Sequence, residues 1–211
     1  MKNFIETPLY RILCTLFDLV ILNLMYILCC LPVVTIGAAA TALYGASLSL
    51  IQDEAHVYTR FVKAFLRSFK RSTVCWLLVL LIAAVACADF VIIASFWSFS
   101  GKYAALGLLI LVLFLLMCTA GYLFPLLNAG RTIRQSIRAA FSLSMGHLPR
   151  TLLVCLVNGF PLLLLFFFTY GFLILFWFFL VIGFSLSAYV NCLLLKKILF
   201  PLLPEEVENL W

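Results

Sequence analysis

Polar side chains within long apolar stretches are the residues of this sequence best suited to chemistry. Two are acids, Asp18 and Asp89, and three are amides, Asn23, Asn158 and Asn191. A carboxylate at membrane depth costs at least ~2.5 kcal/mol, so it normally faces a bundle interior and has a partner or a function there. An asparagine in the same setting hydrogen-bonds between helices. These five side chains form a candidate intramembrane polar site.

Two interpretations of these polar side chains stay open. In the first they line a path for protons or solute, and in the second they hydrogen-bond to neighbouring helices and fix packing. We favour packing for the asparagines. Of the aspartates we assign packing to Asp18 and a functional or partner-facing role to Asp89, which lies nearer the predicted outer side.

The histidines and cysteines follow no catalytic or metal-binding pattern. His56 and His147 lie far apart in predicted loops, and the eight cysteines include no C-x-x-C pair. Cysteines in apolar segments behave as small hydrophobic residues. The sequence also contains no phosphate-binding loop, dinucleotide fingerprint, H-E-x-x-H or nucleophile elbow. We therefore expect no enzymatic activity, no cofactor and no metal site.

The composition predicts an integral membrane protein. Of the 211 residues 66% are hydrophobic and only 10% are charged, which is too few to cover the surface of a soluble domain. The net charge of +6 is explained by basic residues that gather in cytoplasmic loops. We therefore expect no nucleic-acid partner.

Apolar segments separated by turn residues predict an all-α, polytopic membrane helical bundle, a single transmembrane domain over residues 1–211. The 45 uncharged residues 151–195 would measure about 68 Å as one helix, so they must contain two spans. The second span is short and less apolar, so five spans are the alternative to six. The predicted spans cover residues 12–31, 35–51, 74–97, 103–127, 151–169 and 172–195.

A helical hairpin near the amino end is expected to organise the bundle. Pro32 should end the first helix, because proline lacks an N–H and restricts the residue before it, and Thr35 is the predicted N-cap of the second. Small residues then recur every four positions along one face of the second helix. Such a face allows a neighbouring backbone to approach closely. The predicted helix-packing residues are Pro32, Gly37, Thr41, Gly45 and Ser49.

Basic residues concentrate in two loops, residues 52–73 and 128–150, which are predicted to form amphipathic interfacial helices. Cations on such helices meet anionic lipid headgroups, so we expect an anionic bilayer as a partner. A plain loop that only fixes topology is the alternative. The predicted cytoplasmic basic surface comprises Arg60, Lys63, Arg67, Lys70, Arg71, Arg131, Arg134, Arg138 and Arg150.

The distribution of basic residues also predicts the orientation. With six spans, 13 of the 14 Lys and Arg residues lie on one side and Lys102 alone lies on the other (14 − 1 = 13). Because positive loops stay on the cytoplasmic side, both termini are expected in the cytoplasm of a multi-pass cell-membrane protein.

Several local patterns resemble the YesL family, a group of uncharacterised bacterial membrane proteins whose members often neighbour genes for carbohydrate uptake. The resemblance rests on Asn23, Leu31-Pro32, Thr35, Gly37, Ala42-Leu43-Tyr44, Phe61, Ala64-Phe65, Phe69-Lys70, Phe124-Pro125-Leu126 and residues 147–151. It implies a membrane fold in the bacterial plasma membrane and a sugar-uptake context. The family has no assigned catalytic residues to carry over.

Three functions remain in competition. The first is a non-enzymatic accessory protein of oligosaccharide uptake, associated with subunits of an ABC-type importer or with a second copy of itself. The second is a small transporter or channel whose path is lined by Asp18 and Asp89. The third, an enzyme acting on lipid or polyprenyl carriers, would need clustered acids or histidines at one interface.

Overall fold

The computed structural model describes residues 8–52, 56–96, 99–128, 132–167 and 177–199, which are helical and contain no strand. A 3-10 turn covers Val33–Thr35 and a π-helical turn covers Phe179–Gly183. The all-α fold class expected from the sequence is confirmed. The helices are α1 (Pro8–Cys30), α2 (Ile36–Ile51), α3 (Val57–Phe96), α4 (Phe99–Asn128), α5 (Ile133–Gly146), α6 (Leu148–Phe167) and α7 (Phe184–Leu199).

Five helical segments of the described chain are long and apolar enough to cross a membrane. The pair α5 and α6, bent by 106° at its junction, is a sixth candidate. These numbers agree with the five or six spans expected from the sequence, and they identify a polytopic membrane bundle. The five segments are Tyr10–Cys30, Val33–Ile51, Val57–Ile93, Tyr103–Asn128 and Phe179–Lys196.

Helix α2 lies at the centre of the bundle, where it contacts α1, α3, α4 and α7. Ten of its 16 residues are buried, including the four small residues that repeat along one face. A Cβ added at Gly37 would lie 2.5 Å from the Cβ of Trp76 and 2.6 Å from the carbonyl oxygen of Ser72. Only glycine permits so close an approach of α3. The Thr41 and Ser72 hydroxyls hydrogen-bond at 2.8 Å, which satisfies both inside this contact.

Helix α3 runs for 40 residues without a break, so the basic segment and the next apolar segment form one helix. This differs from the separate interfacial helix expected for residues 52–73. No glycine or proline interrupts residues 57–96, and part of the apolar face of the basic half packs on α2. Phe61 is 1% exposed and Ala64 is 5% exposed in this contact.

The turn between α1 and α2 is stabilised differently from the expected N-cap. Thr35 makes no side-chain cap bond to α2. Its hydroxyl lies within hydrogen-bonding distance of the Cys29 and Pro32 carbonyl oxygens. It therefore supplies a donor to carbonyl groups at the carboxyl end of α1 and in the turn that follows. Pro125 lies inside α4, which continues to Asn128.

The sharp bend between α5 and α6 is held by one threonine. The Thr151 hydroxyl donates to the carbonyl oxygen of Ser144 at 2.9 Å, across the bend. The carbonyl oxygen of His147, at 3.0 Å, is a second acceptor for the same hydroxyl. The Tyr122 hydroxyl of α4 lies 3.0 Å from the hydroxyl oxygen of Thr151. Because Thr151 and Tyr122 are both fully buried, these bonds fix the direction in which α6 leaves the bend.

The second half of α3 and the facing part of α4 pack side by side as an apolar pair, which we call the α3–α4 hairpin (residues 77–96 and 99–116). The Trp76 indole donates to the Val33 carbonyl oxygen at 3.0 Å, at the tip of the α1–α2 turn. Beyond that level α3 continues for about 30 Å. Its side chains are largely exposed there, with Leu81 61% and Val91 61% exposed. This surface therefore faces lipid or another membrane protein.

Substituting Gly37 by alanine should force α2 and α3 apart. Overpacking of this kind costs about 1–3 kcal/mol, or roughly 2–12 °C in melting temperature for a chain of this size. Gly107→Ala on α4 is the matched control, because its Cβ would meet nothing within 4 Å. Thermal unfolding in detergent, followed by circular dichroism, checks the pair. Equal melting temperatures would show that the approach at Gly37 does not limit stability.

Candidate functional site

The buried amide of Asn23 joins α1 to the π-helical turn. Its Nδ2 donates to the carbonyl oxygens of Phe179 at 3.0 Å and Leu180 at 2.8 Å, and its Oδ1 accepts from the Ser185 backbone N–H at 3.1 Å. The Ser185 hydroxyl also donates to the Leu19 carbonyl oxygen at 2.7 Å. A π-helical turn disturbs the regular backbone ladder, and buried backbone groups need partners. Asn23 supplies them, which is a packing role.

A second polar cluster, which we call the amide cluster, joins three other helices: Tyr44 of α2, Asn158 of α6, and Ser187 and Asn191 of α7. The Asn191 Nδ2 donates to Asn158 Oδ1 at 2.9 Å and to the Tyr44 hydroxyl at 3.3 Å. Ser187 donates to the same Asn158 oxygen at 3.3 Å. Two of the predicted asparagines are therefore brought into direct contact.

The amide cluster borders a partly open cavity of about 500 Å³ between α1, α2, α3, α4, α6 and α7, which we call the central cavity. Tyr44, Asn158 and Ser187 contribute its polar wall, and most of the remaining wall is apolar. The volume falls within the range of small-molecule sites. Its aromatic lining consists of Tyr26, Tyr44, Trp76, Phe124, Phe179 and Phe184.

One hydrogen-bond acceptor of the amide cluster has no donor among the described residues. Asn191 is fully buried, and its Oδ1 has no hydrogen-bond partner among the described residues. Amides hydrogen-bond but do not exchange protons near neutral pH, so the cluster is suited to orienting a ligand rather than to acid–base catalysis. Tyr44, Asn158 and Ser187 line the cavity and Asn191 does not, so these three could hydrogen-bond one polar group of a largely apolar molecule.

The two aspartates lie apart from the amide cluster. Asp18 is half-buried and accepts a hydrogen bond from the Tyr58 hydroxyl, which ties α1 to the start of α3. Asp89 is exposed on the α3–α4 hairpin. Neither lines the central cavity. The five predicted polar residues therefore occupy four separate environments, and only Asn158 and Asn191 meet.

Sequence reasoning did not assign Tyr44 and Ser187 to a polar site. Ser187 and Asn191 are four residues apart on α7, a spacing that puts them on one helix face and was readable from the sequence. For Tyr44 no such local signal exists, because its partners come from helices more than a hundred residues away.

The predicted basic residues fall mainly on outer surfaces of the bundle. The Arg60 guanidinium donates to the Ser49 hydroxyl at 3.0 Å, while Arg150 is half-buried. Arg131 lies outside the described residues. The exposed members are Lys63, Arg67, Lys70 and Arg71 on α3, and Arg134 and Arg138 on α5.

The described residues contain no cluster of three or more His, Cys, Asp or Glu side chains able to hold a metal ion. The eight cysteines are free thiols. Two of them approach each other, with the Cys118 and Cys155 sulfurs 3.3 Å apart between α4 and α6.

Replacing Asn23 by leucine should destabilise the bundle, because two carbonyl oxygens and one N–H would lose their partner. Each buried group left unpaired costs about 1–3 kcal/mol. Leu24→Ala is the control, since Leu24 is 58% exposed on the same helix. We expect Asn23→Leu to melt well below the control in detergent. A melting temperature equal to that of the unsubstituted protein would remove Asn23 from the bonds that hold the π-helical turn.

Comparison with known proteins gives one match. Residues 19–90 match a family model described as a protein of unknown function, DUF624. The matched segment contains most of α1, the whole of α2 and most of α3, and hence Asn23, the small-residue face and Asp89. No curated protein and no solved structure matches the chain. The chain is therefore similar, over these three helices, to an uncharacterised family with no assigned activity.

Proposed function

We propose that this protein is a non-enzymatic accessory subunit of a membrane complex and that it docks through the α3–α4 hairpin. The observation that carries the proposal is the position of Asp89. This acid is exposed on an otherwise apolar surface, between Val85 and Ile92, which are 54% and 55% exposed. Residues three and four positions apart share a helix face, so the carboxylate stands within an apolar stripe.

A carboxylate on a lipid-facing stripe is costly, and acids at membrane depth nearly always face protein or a water-filled cavity. A partner helix that presents a hydrogen-bond donor or a cation to Asp89 would remove that cost. The flanking apolar side chains would pack against the same helix. Docking on this hairpin therefore accounts for both the exposed acid and the exposed apolar surface around it.

The identity of the complex comes from the resemblance to the YesL family, whose genes often neighbour those for carbohydrate uptake. We infer that the partner is a membrane subunit of an ABC-type oligosaccharide importer in the bacterial plasma membrane. The one-sided distribution of basic residues supports cytoplasmic termini in that membrane. A second copy of the chain is the other partner that the same stripe could accommodate.

A second candidate function is supported by the central cavity. Its size and its polar wall suit a small transporter or a carrier of an apolar solute. In this case the amide cluster, rather than a path joining Asp18 and Asp89, would contact the solute. The two candidates differ in which substitution abolishes function.

Asp89→Leu should lower the amount of importer subunit recovered with the affinity-tagged protein at least tenfold. Its abundance in the membrane should stay normal, because leucine suits a lipid-facing site. Purification in a mild detergent with quantitative mass spectrometry measures recovery, and growth on oligosaccharides measures function. Asp18→Asn is the matched control, since an amide oxygen can still accept from Tyr58. Undiminished recovery and growth with Asp89→Leu would refute docking at this residue.

Tyr44→Phe separates the second candidate from the first. It removes one hydroxyl from the amide cluster and leaves the α3–α4 hairpin unchanged. If the protein carries a solute through the central cavity, the variant should fold normally yet reduce growth on the transported compound at least tenfold, because a polar contact is lost. If the protein acts only as an accessory subunit, the Tyr44→Phe strain should grow as well as the parent.

A further inference from the structure

Helix α5 presents three different faces. Ser136, Ala140 and Ser144 recur every four residues and are buried against the bundle. The apolar Ile137 and Phe141 are 41% and 52% exposed. Helices with a polar face and an exposed apolar face commonly lie in the plane of the membrane surface. The axes of α5 and α6 meet at a bend of 106°, so α5 lies nearly parallel to the membrane surface when α6 runs along the membrane normal.

The basic face of α5 consists of Arg134 and Arg138, both exposed and one helical turn apart. Their spacing places the two guanidinium groups on the same side of the helix. The helix begins at Thr132, whose backbone N–H donates to the side chain of Gln135 at 3.3 Å. This bond is half of a capping box and holds the first turn, from which Arg134 projects, while Arg138 follows on the second turn.

An apolar cavity of about 490 Å³ lies where α5 crosses α3 and α4. Among the described residues that line it, Arg138 is the single charged one. The cavity begins at the level of Cys75, where the basic half of α3 gives way to its apolar half. It therefore spans the boundary between a charged zone and a lipid-facing zone. Its wall includes Leu78, Ile82, Leu116, Leu123 and Phe141.

We propose that this cavity is a binding site for an anionic phospholipid, with an acyl chain between α3 and α4 and the phosphate on Arg138. A nearly all-apolar wall offers a sugar or a free anion little to hydrogen-bond, whereas it suits a hydrocarbon chain. A guanidinium at the mouth matches the geometry of a phosphate, and Arg134 adds a second cation for a headgroup with net negative charge. The proposal does not depend on the partner or solute discussed above.

Lipid retention by the full-length protein tests this site. Purified protein is incubated with palmitoyl-oleoyl phosphatidylglycerol or with the matching phosphatidylcholine, and bound lipid is counted by native mass spectrometry after detergent exchange. We expect at least tenfold higher retention of phosphatidylglycerol. Equal retention of the two lipids would overturn the proposal, and so would displacement of phosphatidylglycerol by equimolar inorganic phosphate, because the acyl chain would then contribute nothing.

Three variants locate the site. Arg138→Gln should abolish the preference for phosphatidylglycerol, and Leu78→Trp should lower retention of both lipids by filling the cavity. Arg11→Gln makes the same substitution on an exposed residue of α1, outside both the cavity lining and the predicted basic surface, and it should retain both lipids as the parent does. An unchanged preference with Arg138→Gln would refute the site. Arg138→Lys keeps the charge but loses the bidentate fork, so intermediate retention is expected even if the glutamine variant folds poorly.

Discussion

The close approach of α3 to Gly37 is the contact on which the rest of the bundle depends. Two helix backbones can come this near only where a side chain is missing, and a Cβ at Gly37 would overlap both the Trp76 side chain and the Ser72 backbone. The contact keeps α3 alongside α2. It also brings the Trp76 indole to the α1–α2 turn, where it satisfies a carbonyl oxygen.

Hydrogen bonds of buried polar groups then hold the other helices in place around α2. In a membrane no water compensates an unpaired backbone group, so irregular backbone survives only where protein supplies partners. Asn23 supplies them at the π-helical turn, and Thr151 does so at the bend between α5 and α6. These irregularities set the directions of α6 and α7, and the central cavity lies between the helices so placed.

Two groups of polar side chains can be distinguished among the described residues: those that hydrogen-bond within the bundle and those that face outwards. Neighbouring elements of the bundle provide hydrogen-bond partners for Asn23, Thr41 and Thr151. Asp89 and Arg138 instead stand at the edge of apolar surfaces, one on the α3–α4 hairpin and the other beside an apolar cavity. Contacts with partners and lipids are therefore expected on the outside of the protein, while the amide cluster leaves a single acceptor inside.

Some parts of this architecture could be predicted because their cause is local. A run of apolar residues of sufficient length makes a membrane helix whatever surrounds it, so the fold class and the five or six candidate spans followed from composition and spacing. The small residues of α2 also showed their common face through a repeat of four. A repeat identifies a face, however, and carries no information about which helix covers it.

The sequence by itself thus determined that the chain forms apolar helices, where the first turn occurs and which face of α2 is small. The tertiary structure alone decided what covers that face: α3 packs against Gly37 and Thr41, and Asn128 of α4 packs against Gly45. Lipid and a neighbouring helix are equally apolar surroundings, so the sequence did not distinguish them. It also decided which polar groups meet: Asn23 pairs with Leu180, Asn158 with Asn191, and Asp18 with Tyr58. Hydrogen bonds between distant segments depend on distance in space, and a local pattern in a single sequence does not encode that distance.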